Sequence, residues 1–440
     1  MQVIADLHLH SPYARAVSKN ITLEKMAEWA QKKGIDLITP ADWTHPKWLR
    51  QLKENLEETN NGIFQLKSKV KSQNAKVSES HFLLSTEVSC VYHQDGRYHA
   101  VHVLIFAPAL QTVEKINKKL KELGQNLLSD GRPILNLTCR DLAAHVLDLD
   151  ANCLLIPAHA WTPWFGFYGA HGGFDSLSDA FKDYAKYIYA VETGLGSDPA
   201  MNWRIADLDS RNIVSFSDAH SLPKIGREAT VFEVPELTYG NVRSAIVAGP
   251  GKIAYTAEFY REEGKYHYTG HRKCGVSFSP LETKRVGLTC PVCNKKLTVG
   301  ALQRTEDLAV RGEAVEYKLD INSVRWVCPK NQERPPFVNF VPLQEILSEV
   351  LQVGVGSKKV QKEYERLTAT LAPEFQILLN ISLEDIEKVG GTRLREAIGK
   401  VRGGYIVVKP GYDGVFGTVN IWPRDGDIKE VARLRQESIF

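Results

Sequence analysis

Residues 3–10 read VIADLHLH and residues 213–220 read IVSFSDAH. Each is an apolar run that closes on titratable side chains, as a strand does where it leaves the core. On such a strand His8 and His10 share one face, being two residues apart, and Asp218 and His220 repeat the spacing. Five more short apolar runs lie between them, at 36–42 (DLITPAD), 81–89 (HFLLSTEVS), 100–108 (AVHVLIFAP), 153–160 (CLLIPAHA) and 189–194 (YAVETG). Helical patterns intervene at 23–33, 112–124, 140–149, 177–187 and 202–211. Strand, crossover helix, strand reads as a parallel α/β layer, and seven such strands suggest a barrel rather than an open sheet. Nearly every strand ends in His, Asp or Glu, and the carboxyl mouth of a barrel is where its loops gather catalytic groups.

The 440 residues are 43% hydrophobic and 24% charged, enough apolar mass for more than one core. The formal charge is only +3, so composition alone does not mark a nucleic-acid binder. That charge is unevenly spread: residues 251–440 carry 29 basic and 24 acidic side chains, and residues 1–250 carry 26 and 28. Seven cysteines, four of them between Cys274 and Cys328, make no disulfide framework. The first residues lack the pattern of a secretory leader, and no run reaches the roughly 18 apolar residues of a membrane span. A reducing, cytoplasmic setting is expected. Near residue 255 the composition turns aromatic and basic, and from 336 it is helical again. The expected division is a barrel over 1–255, a zinc-binding basic module over 256–335, a helix-hairpin-helix-like region over 336–425 and a tail over 426–440.

Asp42, Glu87, His102, His159 and Glu192 stand at or near the other strand ends. Taken singly, each is as readily a satisfied core or surface side chain. Their recurrence at strand ends is what points to a multinuclear metal site. Mixed imidazole and carboxylate donors favour zinc, manganese or iron, and carboxylates such as Glu87 and Asp218 suit bridging positions. Clustered divalent cations lower the pKa of water and stabilise both oxygens of an in-line displacement, which is phosphoester chemistry. The stretch 160–174, AWTPWFGFYGAHGGF, brings Trp161 and Trp164 near this mouth, where rings either pack as a lid or stack on a base.

His271-x2-Cys274 followed by Cys290-x2-Cys293 has the spacing of a structural tetrahedral zinc site, with Cys328 a rival fourth ligand. Between Lys265 and Lys296 lie seven basic residues, Lys273, Lys295 and Lys296 among them, against one acid, Glu282. This reads as a surface for a phosphate backbone, the bland reading being a solvated zinc ribbon. Gly354 and Gly356 fall between two helical patterns with Lys358 opening the second, and Gly390 and Gly391 repeat the arrangement. Such hairpins turn tightly and can offer helix N-terminal amides to a DNA phosphate, whereas the plain alternative is a bundle with glycine caps. The closing RLRQESIF, with Gln436, Ile439 and Phe440, is an incomplete match to a sliding-clamp (PCNA) peptide.

The order DLHLHS, Asp42, Glu87, His102, His159, SDAH resembles the PHP (polymerase and histidinol phosphatase) superfamily. With DLHLHSPYARA, DWTHPKWL, AHAWTPWFG, ETGLGSDPAMNWR and GHRKC followed by CPVC, the whole chain resembles the endonuclease Q branch of that superfamily. One departure stands out. The histidine of the TDH motif common after the second strand is absent from Thr39-Pro40-Ala41-Asp42, which leaves Asp42 or His45 to fill its place. The resemblance implies a distorted β/α barrel holding two or three divalent metals (Zn2+, Mn2+ or Mg2+), beside a structural Zn2+. The implied ligands are His8, His10, Asp42, Glu87, His102, His159, Asp218 and His220. His8, His10, Glu87, Asp218 and Glu192 form the implied catalytic set, Glu192 as ligand or orienting group. The implied activity is that of a nucleoid-associated DNA repair endonuclease, hydrolysing the phosphodiester on the 5′ side of uracil, hypoxanthine, xanthine or an abasic site. A small-molecule phosphatase would use the same metals but leave the basic module and hairpins idle. A non-catalytic DNA-binding adaptor would have lost more ligands than the one near Ala41.

Overall fold

Where an apolar stripe is long and capped, the helix follows it. Leu23–Lys33 starts on Thr22, whose hydroxyl accepts the Lys25 N–H, and buries Leu23, Met26, Ala27 and Ala30. It stops at Gly34, whose φ of 81° lets its N–H close on Ala30 O. The computed structural model describes residues 1–67 and 80–423. Every expected strand region contains a strand: Gln2–Asp6, Leu37–Ile38, His81–Leu83 running into Ser85–Gln94, Arg97–Phe106, Leu154–Pro157, Ala190–Glu192 and Asn212–Val214.

Their pairing departs from the expected all-parallel layer. Gln2–Asp6, Leu37–Ile38 and His81–Leu83 are parallel neighbours, as are Ala190–Glu192 and Asn212–Val214. Ser85–Gln94 and Arg97–Phe106, however, form an antiparallel hairpin, and Leu154–Pro157 joins it antiparallel. The turn is Asp95-Gly96 with φ of 51° and 75°. Two residues leave no room for a crossover helix, and Asp-Gly with both φ positive is the turn whose twist matches a hairpin. Ala229–Glu233, not foreseen as a strand, pairs antiparallel with Gln2–Asp6 on its other side. Two expected helices shorten. Leu177–Phe181 breaks at Lys182, where φ is 51°, into a 3-10 segment, and 202–211 holds only the end of Pro199–Asn202 and one turn at Ala206–Leu208.

The large sheet continues past residue 255. Ile253–Glu258 pairs with Ala229–Glu233 and, in parallel, with Phe337–Asn339, after which come Arg325–Pro329 and Val315–Leu319. Cys328 lies on this extension. Between the added strands, the hairpin Thr269–His271/Val276–Phe278 and the helix Pro280–Val286 surround a core of only Val276, Cys290 and Leu297. Asp413, between the paired strands Val407–Lys409 and Thr418–Asn420, accepts the Arg272 N–H at 2.7 Å and the Thr298 hydroxyl at 2.6 Å. Helices Leu343–Leu351 and Lys358–Thr370 flank the first glycine turn, and Leu383–Gly390 and Thr392–Gly403 the second, with Glu374–Leu379 between the pairs. They are bolted to the helix Leu23–Lys33 by a buried ion pair, Lys33 Nζ to Glu374 Oε2 at 2.7 Å. Among the described residues no helix is long and apolar enough to cross a membrane. The clamp-like residues Gln436, Ile439 and Phe440 lie outside the described residues.

Candidate active site

The strand ends turn their side chains inward through backbone that L-residues rarely adopt. Asp42, His159 and Asp218 have φ of 40°, 29° and 46°, and Ala41 has 62°. Each such residue costs roughly 1–2 kcal/mol and persists only where its surroundings hold it. Two glycines make the closeness possible: a Cβ on Gly194 would lie 2.4 Å from His159 Cβ, and one on Gly131 would lie 2.4 Å from Asp42 Oδ2.

Three donor groups result, His8/His10/Glu87, His10/Asp218/His220 and Glu87/His102/His159, the ligand atoms of each within 4.8 Å of one another. Glu87 and His10 each belong to two groups. Glu87 Oε1 lies 2.6 Å from His102 Nδ1 and 3.0 Å from His159 Nε2. Its Oε2 lies 3.3 Å from His10 Nε2 and 3.6 Å from His8 Nε2. Asp218 Oδ1 is 3.0 Å from His10 Nε2 and 3.6 Å from His8 Nε2.

The other two expected carboxylates stand outside these groups. Glu192, fully buried, takes His8 Nδ1 at 2.9 Å and the His159 N–H at 2.6 Å. Asp42, also fully buried, takes His10 Nδ1 at 3.2 Å and the Ser11 N–H at 2.6 Å. Asp42, expected as a ligand, and Glu192, expected as a ligand or orienting group, both contact the Nδ1 side of their rings, a placement that suits an orienting carboxylate. His45 does not fill the vacant motif position either. It precedes the helix Pro46–Asn55 and stacks on Tyr13 at 4.3 Å.

Burial works against the charge on Glu87, yet His102, Arg132 and His8 hold the carboxyl well below its usual range. Burial likewise opposes protonation of His8, but Glu192, Glu87 and Asp218 raise it well above the ordinary imidazole value. His10 is raised in the same way, burial being outweighed by Asp42 with Asp218 and Glu87. Burial brings His102 down to about 4, so it is a neutral donor at physiological pH. His8 Nε2 is buried without a hydrogen-bond partner while facing Glu87 and Asp218, a place where a divalent cation fits in exchange for the ring proton.

In the small module His271 Nδ1 lies 3.3 Å from Cys293 Sγ, and His271, Cys274, Cys290 and Cys293 form one donor group. Cys328, on its separate strand, is not in it. Burial opposes ionisation of Cys290, but the N–H groups of Cys293 and Val292 draw its thiol down to about 6. Three thiols and an imidazole are the donor chemistry of structural zinc. Lys273, Lys295 and Lys296 are exposed beside it. Gly354, Gly356 and Lys358 are exposed at the first helical turn, where a Cβ on either glycine would meet nothing. Gly390 ends its helix and Gly391, with φ of 81°, alone links it to the next.

The aromatic stretch divides. Trp161, expected at the DNA surface, is 1% exposed, donates Nε1–H to Asn202 Oδ1 at 2.8 Å and stacks on Tyr168, so it is a core residue. Trp164 is 42% exposed, stacked on His171 and edge-on to Tyr266 of the small module. Arg132 escaped the sequence reading altogether. Its Nη1 is 3.1 Å from Glu87 Oε2, and the one local hint was a glycine before it in a turn-like DGRP.

Residues 342–405 match the protein family described as the MJ0043 C-terminal domain. The whole fold is similar to the crystal structure of the lesion-specific endonuclease PfuEndoQ from Pyrococcus furiosus. Identity is 31%, coverage 98% of this chain and 99% of that one, and the TM-score 0.79. Similarity is equally high to endonuclease Q in complex with a 27-mer duplex substrate carrying an abasic lesion at the active site. There identity is 32%, coverage 97% and 98%, and the TM-score 0.80. YqxK, an uncharacterised protein of Bacillus subtilis (strain 168), is 27% identical over 429 residues, 95% of this chain and 99% of that protein.

Proposed function

Because the chain belongs to the endonuclease Q family, we propose that it is a metal-dependent endonuclease that nicks duplex DNA at abasic sites and at deaminated bases. Uracil, hypoxanthine and xanthine are the bases meant, and the bond broken is the phosphodiester on their 5′ side. The observation that carries the reading is the fusion of three donor groups through Glu87 and His10 at one mouth. We read the sheet segments around that mouth as arcs of a distorted barrel.

Divalent cations, when bound, would supply Lewis acidity toward a phosphoryl oxygen and lower the pKa of water. The protein's own part is orientation. Glu192 on His8 Nδ1, Asp42 on His10 Nδ1 and the Thr162 hydroxyl, 3.0 Å from His159 Nδ1, leave each Nε2 turned toward Glu87 or Asp218. Fixing three rings this way lowers the reorganisation that a loosely held site would need. Lys273, Lys295 and Lys296 are read as backbone contacts, with the turns at Gly354, Gly356 and Lys358 and at Gly390 and Gly391 presenting amides to phosphates. Trp164, exposed although it stacks on His171, is the ring read as stacking on or wedging beside an extruded nucleotide.

The test is nicking of end-labelled duplexes carrying uracil, hypoxanthine, an abasic site or no lesion, with and without chelator. Metal-dependent cuts 5′ of the lesion are expected, with the undamaged duplex intact. Hydrolysis of a small phosphate monoester with every duplex left whole would overturn the reading in favour of a phosphatase.

A further inference from the structure

Arg132 brings into the donor network a guanidinium that none of the orienting roles above uses. Glu87 Oε2, which it touches at 3.1 Å, is the oxygen that also faces His8 and His10. Its charge reaches Asp218 as well as His102 and His220, so members of all three donor groups feel it. The Arg132 side chain is 22% exposed while that of Glu87 is 0% exposed, which puts the cation on the solvent side of the network.

The loop that carries it is held at several points. Asp130 Oδ1 accepts the Arg132 N–H at 3.0 Å, Gly131 N–H donates to Tyr13 O at 3.0 Å, and the Thr44 hydroxyl donates to Gly131 O at 3.0 Å. Pro133 O takes the Ser89 N–H at 3.0 Å, tying the loop to the strand that bears Glu87. Gly131 is dictated by crowding, since an added Cβ would stand 2.4 Å from Asp42 Oδ2 and 2.9 Å from Ala14 N. A guanidinium offers five N–H donors in one plane with a permanent charge, and a single contact to Glu87 leaves others to bind an anion. Carboxylates provide no donors for phosphate oxygens, and an imidazole has no planar fork of N–H groups.

We propose that Arg132 is a substrate-binding residue that hydrogen-bonds a non-bridging oxygen of the scissile phosphate while remaining braced on Glu87. This rests on the nuclease reading and deepens it. The test replaces the scissile phosphate of an abasic-site duplex by a neutral methylphosphonate. Affinity is measured by fluorescence anisotropy with divalent cations omitted from the buffer, so that binding is read apart from cleavage.

The full-length wild type should bind the methylphosphonate duplex about tenfold more weakly than the phosphodiester, the size of a charge-assisted hydrogen bond. Arg132→Gln should bind the two duplexes alike, and Arg132→Lys, which keeps the charge without the planar fork, should retain part of the difference. Circular dichroism and thermal melting establish that both variants are folded. An equal methylphosphonate penalty in Arg132→Gln and wild type, or no penalty in the wild type, would overturn the assignment. Wild-type enzyme that leaves lesion duplexes uncut with metal present removes the nuclease reading and this inference with it. Cutting with an unchanged penalty removes this inference alone.

Discussion

The linked donor groups around Glu87 and the His271/Cys274/Cys290/Cys293 group both gather histidines with anionic donors, but they are assembled in opposite ways. Partners in the first lie as far apart in the chain as His10 and Asp218, 208 residues, whereas His271 and Cys293 of the second are 22 residues apart. His8 and His10 have the carboxylate partners Glu192 and Asp42 and stand on a body with an extensive buried core. The zinc module encloses three buried apolar residues, too few to hold a hairpin and a short helix in place. On the proposed reading, cations in the first region would serve chemistry on a scaffold with its own core, whereas an ion in the second would itself supply much of the scaffold.

The largest expected effect tests the first half of that contrast. Asp218→Ala or His8→Ala should lower single-turnover cleavage of an abasic duplex on the order of 10³-fold. Thermal unfolding and lesion-duplex affinity should stay close to wild type, and a collapse of the melting transition would show the cluster to be structural.

Next in size, Cys290→Ala should release zinc, open residues 265–299 to proteolysis and weaken DNA binding about tenfold or more, with the main body melting as before. A module that stays protease-resistant without metal would break the comparison from the other side. Reversal of two exposed charges, Lys295→Glu with Lys296→Glu, should reduce the slope of log affinity against log salt by about two. An unchanged slope would show that the patch faces solvent in the complex.

The smallest effect concerns pH. Glu258, 0% exposed, is raised to about 8 by burial and by Asp198, against the pull of the Thr256, Ser215 and Thr193 hydroxyls. A carboxyl that holds its proton when folded but releases it near 4.5 when unfolded gives stability that is full below about 4.5. That contribution is lost as pH rises to about 8. Glu258→Gln should therefore flatten the fall in Tm between pH 5 and 8, by roughly 3 °C at the alkaline end, in the transition of the main body only. Differential scanning calorimetry across that range reads it directly.

Much of the site was legible because strands end where they leave the core and titratable residues at those ends have few places to go. His8, His10, Glu87, His102, His159, Asp218 and His220 all converge, although Glu87 and His102 do so from within the hairpin strands and not from strand ends. The His271 to Cys293 group was legible for a simpler reason, since two short knuckles carry their geometry locally. Asp42 and Glu192 were harder to read, because ligand and orienting carboxylates look alike until the far side of each imidazole is seen. Trp161 misled the reading since an indole in a glycine-rich loop packs inward as readily as outward, and Asn202, which satisfies its N–H, is remote in the chain.

By itself the sequence determined seven of the segments that form strands, which residues could bind metal and that a paired His/Cys knuckle would follow, all consequences of local periodicity and short spacing. Only the tertiary structure decided that the Asp95-Gly96 turn makes the Glu87 strand one arm of an antiparallel hairpin. The same holds for the placing of Arg132 on Glu87, 45 residues away, and of Cys328 on a different sheet from the zinc donors. The physical reason is that these facts depend on which groups become neighbours once apolar faces are buried, and chain separation does not encode that distance.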